Sequence, residues 1–176
     1  KKGNTLLAVP CWNDGGGQAI DVGLVLSTKT DPPKEDFNPD FVSVFKKAGV
    51  DIVHLAEFHN RLGPLRRDPN KTLPLLKLLH DECARLSDDD FLLLPGEEPN
   101  AHLGGHWISF FPRPVMWVLR RVQDKPFIEQ HPEYGRVYHV GSSEEVLKLM
   151  EKENGLMWAA HPRIKSSTGY PDRYRN

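Results

Sequence analysis

The chain has 176 residues, 23 Lys and Arg against 24 Asp and Glu, and a hydrophobic fraction of 39%. That length suits one domain with a sizeable core, and a formal net charge of -1 excludes the basic excess of a phosphate-tracking nucleic-acid surface. No apolar run approaches the ~18 residues of a membrane span, so a soluble protein is expected.

Leu6 to Val9 and Ile20 to Leu26 read as short strands divided by the Gly15-Gly16-Gly17 breaker, and Asp31-Pro32-Pro33 to Pro39 as a loop. A helix follows, with Asn38 as N-cap and Pro39 at its first position. It runs through Phe41, Val42, Val44 and Phe45 to Gly49, where a left-handed residue is wanted. Val50 to Ala56 is apolar and β-branched, the pattern of a buried strand. A polar, Arg-rich loop from Asn60 to Lys71 leads to a helix from about Leu73 to Leu86, apolar at Leu75, Leu76, Leu79, Cys83 and Leu86.

Phe91 to Leu94 and Trp107 to Phe111 are the next strands, and Pro112 to Pro132 reads as irregular. Val137 to Val140 is a short strand. Ser142 and Glu145 form a capping box for a helix through Val146, Leu147 and Met150 to Asn154-Gly155, and Leu156 to Ala160 is a final strand. Strand and helix in alternation predict an α/β fold with parallel strands. No repeat or linker divides the chain, so residues 1–176 are expected to form a single domain.

Cys11 and Cys83 stand alone, with no CxxC and no Cys-His spacing, which excludes a thiolate zinc site. Both are expected as small buried residues rather than disulfide partners. Asn70-Lys71-Thr72 is a formal glycosylation sequon, although Thr72 also suits a helix cap. The chain opens Lys1-Lys2 with no visible signal peptide, which suggests a processed or trimmed product and leaves the compartment open.

In α/β architectures chemistry gathers at the carboxyl ends of strands. One strand here ends in Glu57-Phe58-His59-Asn60, the next in Pro95-Gly96-Glu97-Glu98, and the last in Ala160-His161-Pro162-Arg163, while Gly105-His106 begins the strand between. Taken singly, His59 is explained as a loop histidine, Glu97 and Glu98 as solvated turn residues, and His106 and His161 as packing groups. Their co-occurrence at equivalent positions points instead to a metal site, since imidazole with carboxylate is the ligand set of zinc, iron or manganese. His54 reads as a satisfied core histidine, and His102, in the loop between Glu98 and His106, is a weaker candidate that is also set aside. His80, His131 and His139 are set aside.

These segments resemble the PHP superfamily of metal-dependent phosphoesterases, named for polymerase and histidinol phosphatase. Lys46-Lys47-Ala48-Gly49-Val50-Asp51-Ile52-Val53 leading to Glu57-Phe58-His59-Asn60 is similar to the family segment ending in Thr-Asp-His-Asn. Pro95-Gly96-Glu97-Glu98 resembles its Pro-Gly-x-Glu motif, Gly105-His106 its Gly-His, and Ala160-His161-Pro162 its Ala-His-Pro. The resemblance spans about residues 41–163. It implies a distorted (β/α)7 barrel, here partial or trimmed, in which Glu98, His106 and His161 ligate one divalent transition metal and His59 contributes to another. It also implies hydrolysis of a phosphate ester by a metal-bound hydroxide, with His59, Glu57 and Arg163 at the reacting centre and Glu57 accepting from a histidine rather than binding metal.

The departures from the family are specific. No His precedes His54 to supply the opening His-x-His pair, and nothing after His161 supplies the closing Asp-x-His. Two functions therefore stay open: a hydrolase of a small, anionic phosphate ester, and a PHP-like module that binds or supports without catalysing. A sugar-binding role rests only on Trp12, Trp107, Trp117 and Trp158. Neither nucleic acid nor membrane is implied as a partner, and oligomeric state is left open.

Overall fold

Proline, left-handed residues and capping side chains set the limits of the helices. The computed structural model describes residues 5–10, 22–27, 39–56, 68–99, 101–119 and 125–160. Helix α1 (Asp40–Lys47) starts one residue later than expected: Pro39 has ψ 140° and is itself the N-cap. Asp40 lies near its positive end and Lys46 and Lys47 near its negative end. Gly49 takes φ +74° and turns the chain out of the helix.

Helix α2 (Pro69–Leu86) begins four residues before the expected start. The Asn70 N–H donates to the Asp68 carboxylate at 3.1 Å, and Pro69 occupies the first position, where a missing N–H loses nothing. Thr72 is therefore not the cap but a fully buried residue within the helix. Pro74 removes one intrahelical bond in the second turn, which explains why pattern alone placed the start too late. The apolar positions from Leu75 to Leu86 are buried as the spacing requires. Among them is Cys83, whose thiol burial pushes up to about 12.

Strands β1 (Thr5–Pro10) and β2 (Val22–Ser27) pair antiparallel. Strands β3 (Ile52–Leu55) and β4 (Leu92–Glu97) pair in parallel, and β5 (Trp107–Phe110) returns antiparallel to β4. β6 (Met116–Val118), β7 (Ile128–His131) and β8 (Gly135–His139) form a second sheet, order β6-β8-β7. Helix α3 (Ser143–Glu153) is capped by Ser142, whose Oγ accepts from the Glu145 N–H at 3.3 Å, while the Glu145 carboxylate accepts from the Gly141 N–H at 2.7 Å. It ends at Asn154, φ +52°, and β9 (Leu156–Ala159) joins the first sheet in the order β3-β4-β5-β9.

The fold is mixed α/β, which corrects the expectation of parallel strands: β5 runs antiparallel to both β4 and β9. Among the described residues the sheets stay open and do not close as a barrel. β6 and β7 fall in the segment expected to be irregular, because a three-residue strand and the polar run Ile-Glu-Gln-His carry almost no period-2 signal. β3 was expected to be buried, yet Ile52 is 60% exposed; Leu55 is buried in the core and Val53 packs partly buried against it.

The larger core cluster among the described residues joins the four-stranded and three-stranded sheets, beside a smaller one of Leu73, Val118 and Val137. Leu76, Leu79 and Cys83 of α2 and Val146 and Leu149 of α3 meet Leu93, Trp107, Trp117 and Tyr138. The Trp107 and Trp117 rings lie 6.3 Å apart at its centre. No described helix is long and apolar enough to cross a membrane.

Burial on α2 also makes folding sensitive to acid. It lowers the pKa of His80 from 6.5 to about 4, so the folded state resists a proton that the unfolded chain accepts. Stability is therefore full above about pH 6.5 and is lost as the pH falls towards 4, by at most about 3 kcal/mol. Urea unfolding at pH 7 and pH 4 should show wild type losing that much more than His80→Leu; an equal loss in both proteins would refute the assignment.

Candidate functional site

Because β3, β4 and β9 run one way and β5 the other, three carboxyl ends and one amino end share a sheet edge. Glu98 follows β4 directly and His106 precedes β5 directly. The Trp107 N–H donates to the Pro99 carbonyl at 3.3 Å and the Ala160 N–H to the His106 carbonyl at 3.0 Å, so His106 is held between the ends of β4 and β9.

The connection between β4 and β5 is fastened from two sides. The Trp107 indole N–H donates to the Ala101 carbonyl at 2.9 Å, and the Ser143 hydroxyl, in the first turn of α3, donates to the His102 carbonyl at 2.6 Å. His102 and Gly104 adopt φ +65° and +83°, the left-handed geometry of a tight reversal. His102 Nε2 is buried without a hydrogen-bond partner among the described residues.

The Nδ1 of His106 lies 3.3 Å from Oε1 of Glu98, and both side chains are about one-fifth exposed. That contact is a hydrogen bond, longer than the ~2.7–2.9 Å typical of a charge-assisted one. Two donors on one tetrahedral ion, each about 2.0–2.2 Å from it, sit roughly 3.3–3.6 Å apart. The pair thus has the spacing of one edge of a coordination tetrahedron. Among the described residues no group of three His, Cys, Asp or Glu gathers around one point.

His161 immediately follows Ala160 in the sequence but lies outside the described residues, as do Glu57, His59 and Arg163. Glu97 is not a solvated turn residue: β4 continues through it, and it is 3% exposed. The strand runs past the expected stop at Leu94 because its parallel ladder to β3 ends at Pro95 and its antiparallel ladder to β5 begins at Gly96. The proline, with no N–H to donate, falls at the change of partner.

His54 occupies the same sheet and is satisfied. Its Nε2 donates to the Ser109 carbonyl at 3.1 Å, and its ring packs near Phe110 and Trp158. Burial lowers its pKa despite that hydrogen bond and the charges of Glu97 and Glu98. His131 and His139 belong to the other sheet, where His139 Nε2 donates to Glu129 at 2.8 Å. Trp107 and Trp117 are core residues, which leaves Trp158 as the exposed indole among the described three.

One polar cluster escaped the sequence reading. Glu153 lies on the apolar stripe of α3 defined by Val146, Leu149 and Met150, and it is buried there between Arg113 and Arg136. A carboxylate at i+7 of such a stripe demands a cation to neutralise it and was the available signal.

A scan against protein-family models and searches of curated proteins and of solved structures each return no match.

Gly96 is required by its neighbour. A Cβ there would fall 1.7 Å from His54 Nε2, and the ring is held by its bond to Ser109. Gly96→Ala should therefore destabilise by about 1–3 kcal/mol. In a His54→Ala background the same change should cost less than about 0.5 kcal/mol, because the clash is gone. A denaturation cycle over the four proteins that gave additive effects would exclude this contact as the reason for glycine.

Proposed function

We propose that the chain is a PHP-type metal-dependent hydrolase that acts on the phosphate ester of a small anionic molecule. The observation that carries this reading is the 3.3 Å spacing of His106 Nδ1 and Glu98 Oε1 at an edge where strand ends converge. Imidazole and carboxylate suit zinc, manganese or iron, and His161, one residue beyond Ala160, is assigned as the third ligand. On this proposal the four-stranded sheet belongs to a distorted (β/α)7 barrel.

When bound, the metal supplies a Lewis acid for the phosphoryl oxygens and lowers the pKa of water. The chain's own residues do the rest. Glu98 contributes one negative charge to offset the ion, and the fastened connection between β4 and β5 fixes the direction of His106. Glu57 is assigned to accept from a histidine and so orient it, His59 to a neighbouring position at the reacting centre, and Arg163 to the substrate phosphate. The hydrogen bonds made by Pro99, Ala101, His102, His106 and Trp107 hold the geometry in advance, so little ordering remains when an ion arrives.

Purified full chain should hold about one transition metal, measured by elemental analysis, and hydrolyse p-nitrophenyl phosphate in a chelator-sensitive manner. His106→Ala and His161→Ala should each lose the metal and at least 100-fold in kcat/KM, whereas Glu57→Gln should retain the metal. A chain that takes up no transition metal overturns the proposal. One that holds metal through these residues yet turns over no phosphate ester is the non-catalytic module.

A further inference from the structure

Glu153, the last residue of α3, is almost wholly buried, and a buried carboxylate must be neutralised by its neighbours. Its Oε2 accepts from Arg113 Nη2 at 2.6 Å and Nε at 3.2 Å. Its Oε1 accepts from Arg136 Nη1 at 3.2 Å and from the Tyr138 hydroxyl. Burial alone would raise its pKa; the bonds from Tyr138, Arg113 and Arg136 outweigh that and hold it below the usual carboxylate range. Glu153 is therefore ionised at neutral pH.

One guanidinium would balance that charge. Two are present, and their side chains are 64% and 53% exposed while the carboxylate is 5% exposed. They stand on the wall of a cleft of about 380 Å³ that Gln130, Tyr134 and Met116 also line. Among the described residues of this wall the charged ones are Arg113, Arg136 and Glu153, which together carry one positive charge more than negative. Of five N–H donors on each guanidinium, Arg113 commits two to Glu153 and Arg136 one, with Arg136 also bonded to Tyr138. Among the described residues several planar donors have no partner, and the bonds to Glu153 restrict how both guanidiniums turn.

We propose that this cleft binds an oxyanion, the phosphate or carboxylate group of a small molecule, gripped by Arg113 and Arg136 with Glu153 fixing both guanidiniums. Paired forks match the planar or tetrahedral oxygens of such groups in a way that lysines do not. The cleft volume lies at the small end of ligand sites, which suits a single ring or short chain behind the anionic head. Met116 and Tyr134 provide the apolar surface for that body. A cluster that served only to tie α3 to β8 would need no second, exposed cation.

The test uses the full chain stripped of metal, so that phosphate held by a metal is excluded. Inorganic phosphate and benzoate are titrated separately and followed by amide NMR. At least one should saturate with millimolar or tighter affinity, moving amides within residues 113–116, 130–138 and 153; saturation by phosphate alone or benzoate alone identifies the head group. Arg136→Lys and Arg113→Lys keep the charge, lose the fork, and should each weaken binding at least five-fold. The proposal is overturned if neither probe saturates, if the shifts map elsewhere, or if folded lysine variants bind as wild type does. Should a variant not fold, the wild-type shift map decides alone.

Discussion

The fold turns on how little chain separates Glu97 from Trp107. A parallel return to the same sheet needs a crossover of about a dozen residues or more, and residues 98–106 are too few. The next strand must therefore come back antiparallel, next to the strand just left. This places the first residue after β4 and the last before β5 on opposite sides of one narrow reversal. Glu98 and His106 meet because the chain has no other way back.

Packing then preserves what the connection imposes. Trp107 is fully buried, and the burial of so large a ring is worth several ordinary apolar contacts. Its indole N–H would be left unsatisfied there without the Ala101 carbonyl, so the same bond that satisfies the core also shapes the site loop. Ser143 adds a tie from α3, whose first turn is ordered by Ser142 and Glu145. The site edge thus depends on a helix contributed by a segment some forty residues later.

Much of this was legible in the sequence. The left-handed Gly49, the helix end at Asn154, the Ser142 cap and the buried stripe of α2 all follow local rules that tertiary structure did not override. What misled was direction. Alternating elements suggested parallel strands, although the short interval before Trp107 already argued otherwise. The start of α2 was hidden by Pro74, and β6 and β7 were too short to show a period. Motif order singled out Glu98 and His106, which lie 3.3 Å apart, whereas the Arg113–Glu153–Arg136 cluster required noticing one acid on an apolar helix face.

Cys83 sits where α2 meets the core, its thiol pushed up to about 12 by burial. At pH 7 the buried side chain is held as the thiol, not the thiolate that alkylating reagents attack. Reaction must wait until α2 separates from the sheets, since only then do solvent access and the ordinary thiol acidity return together. This side chain is consequently a clock for opening of the central core: with Cys11 replaced, the rate of its labelling records how often the helix lets go.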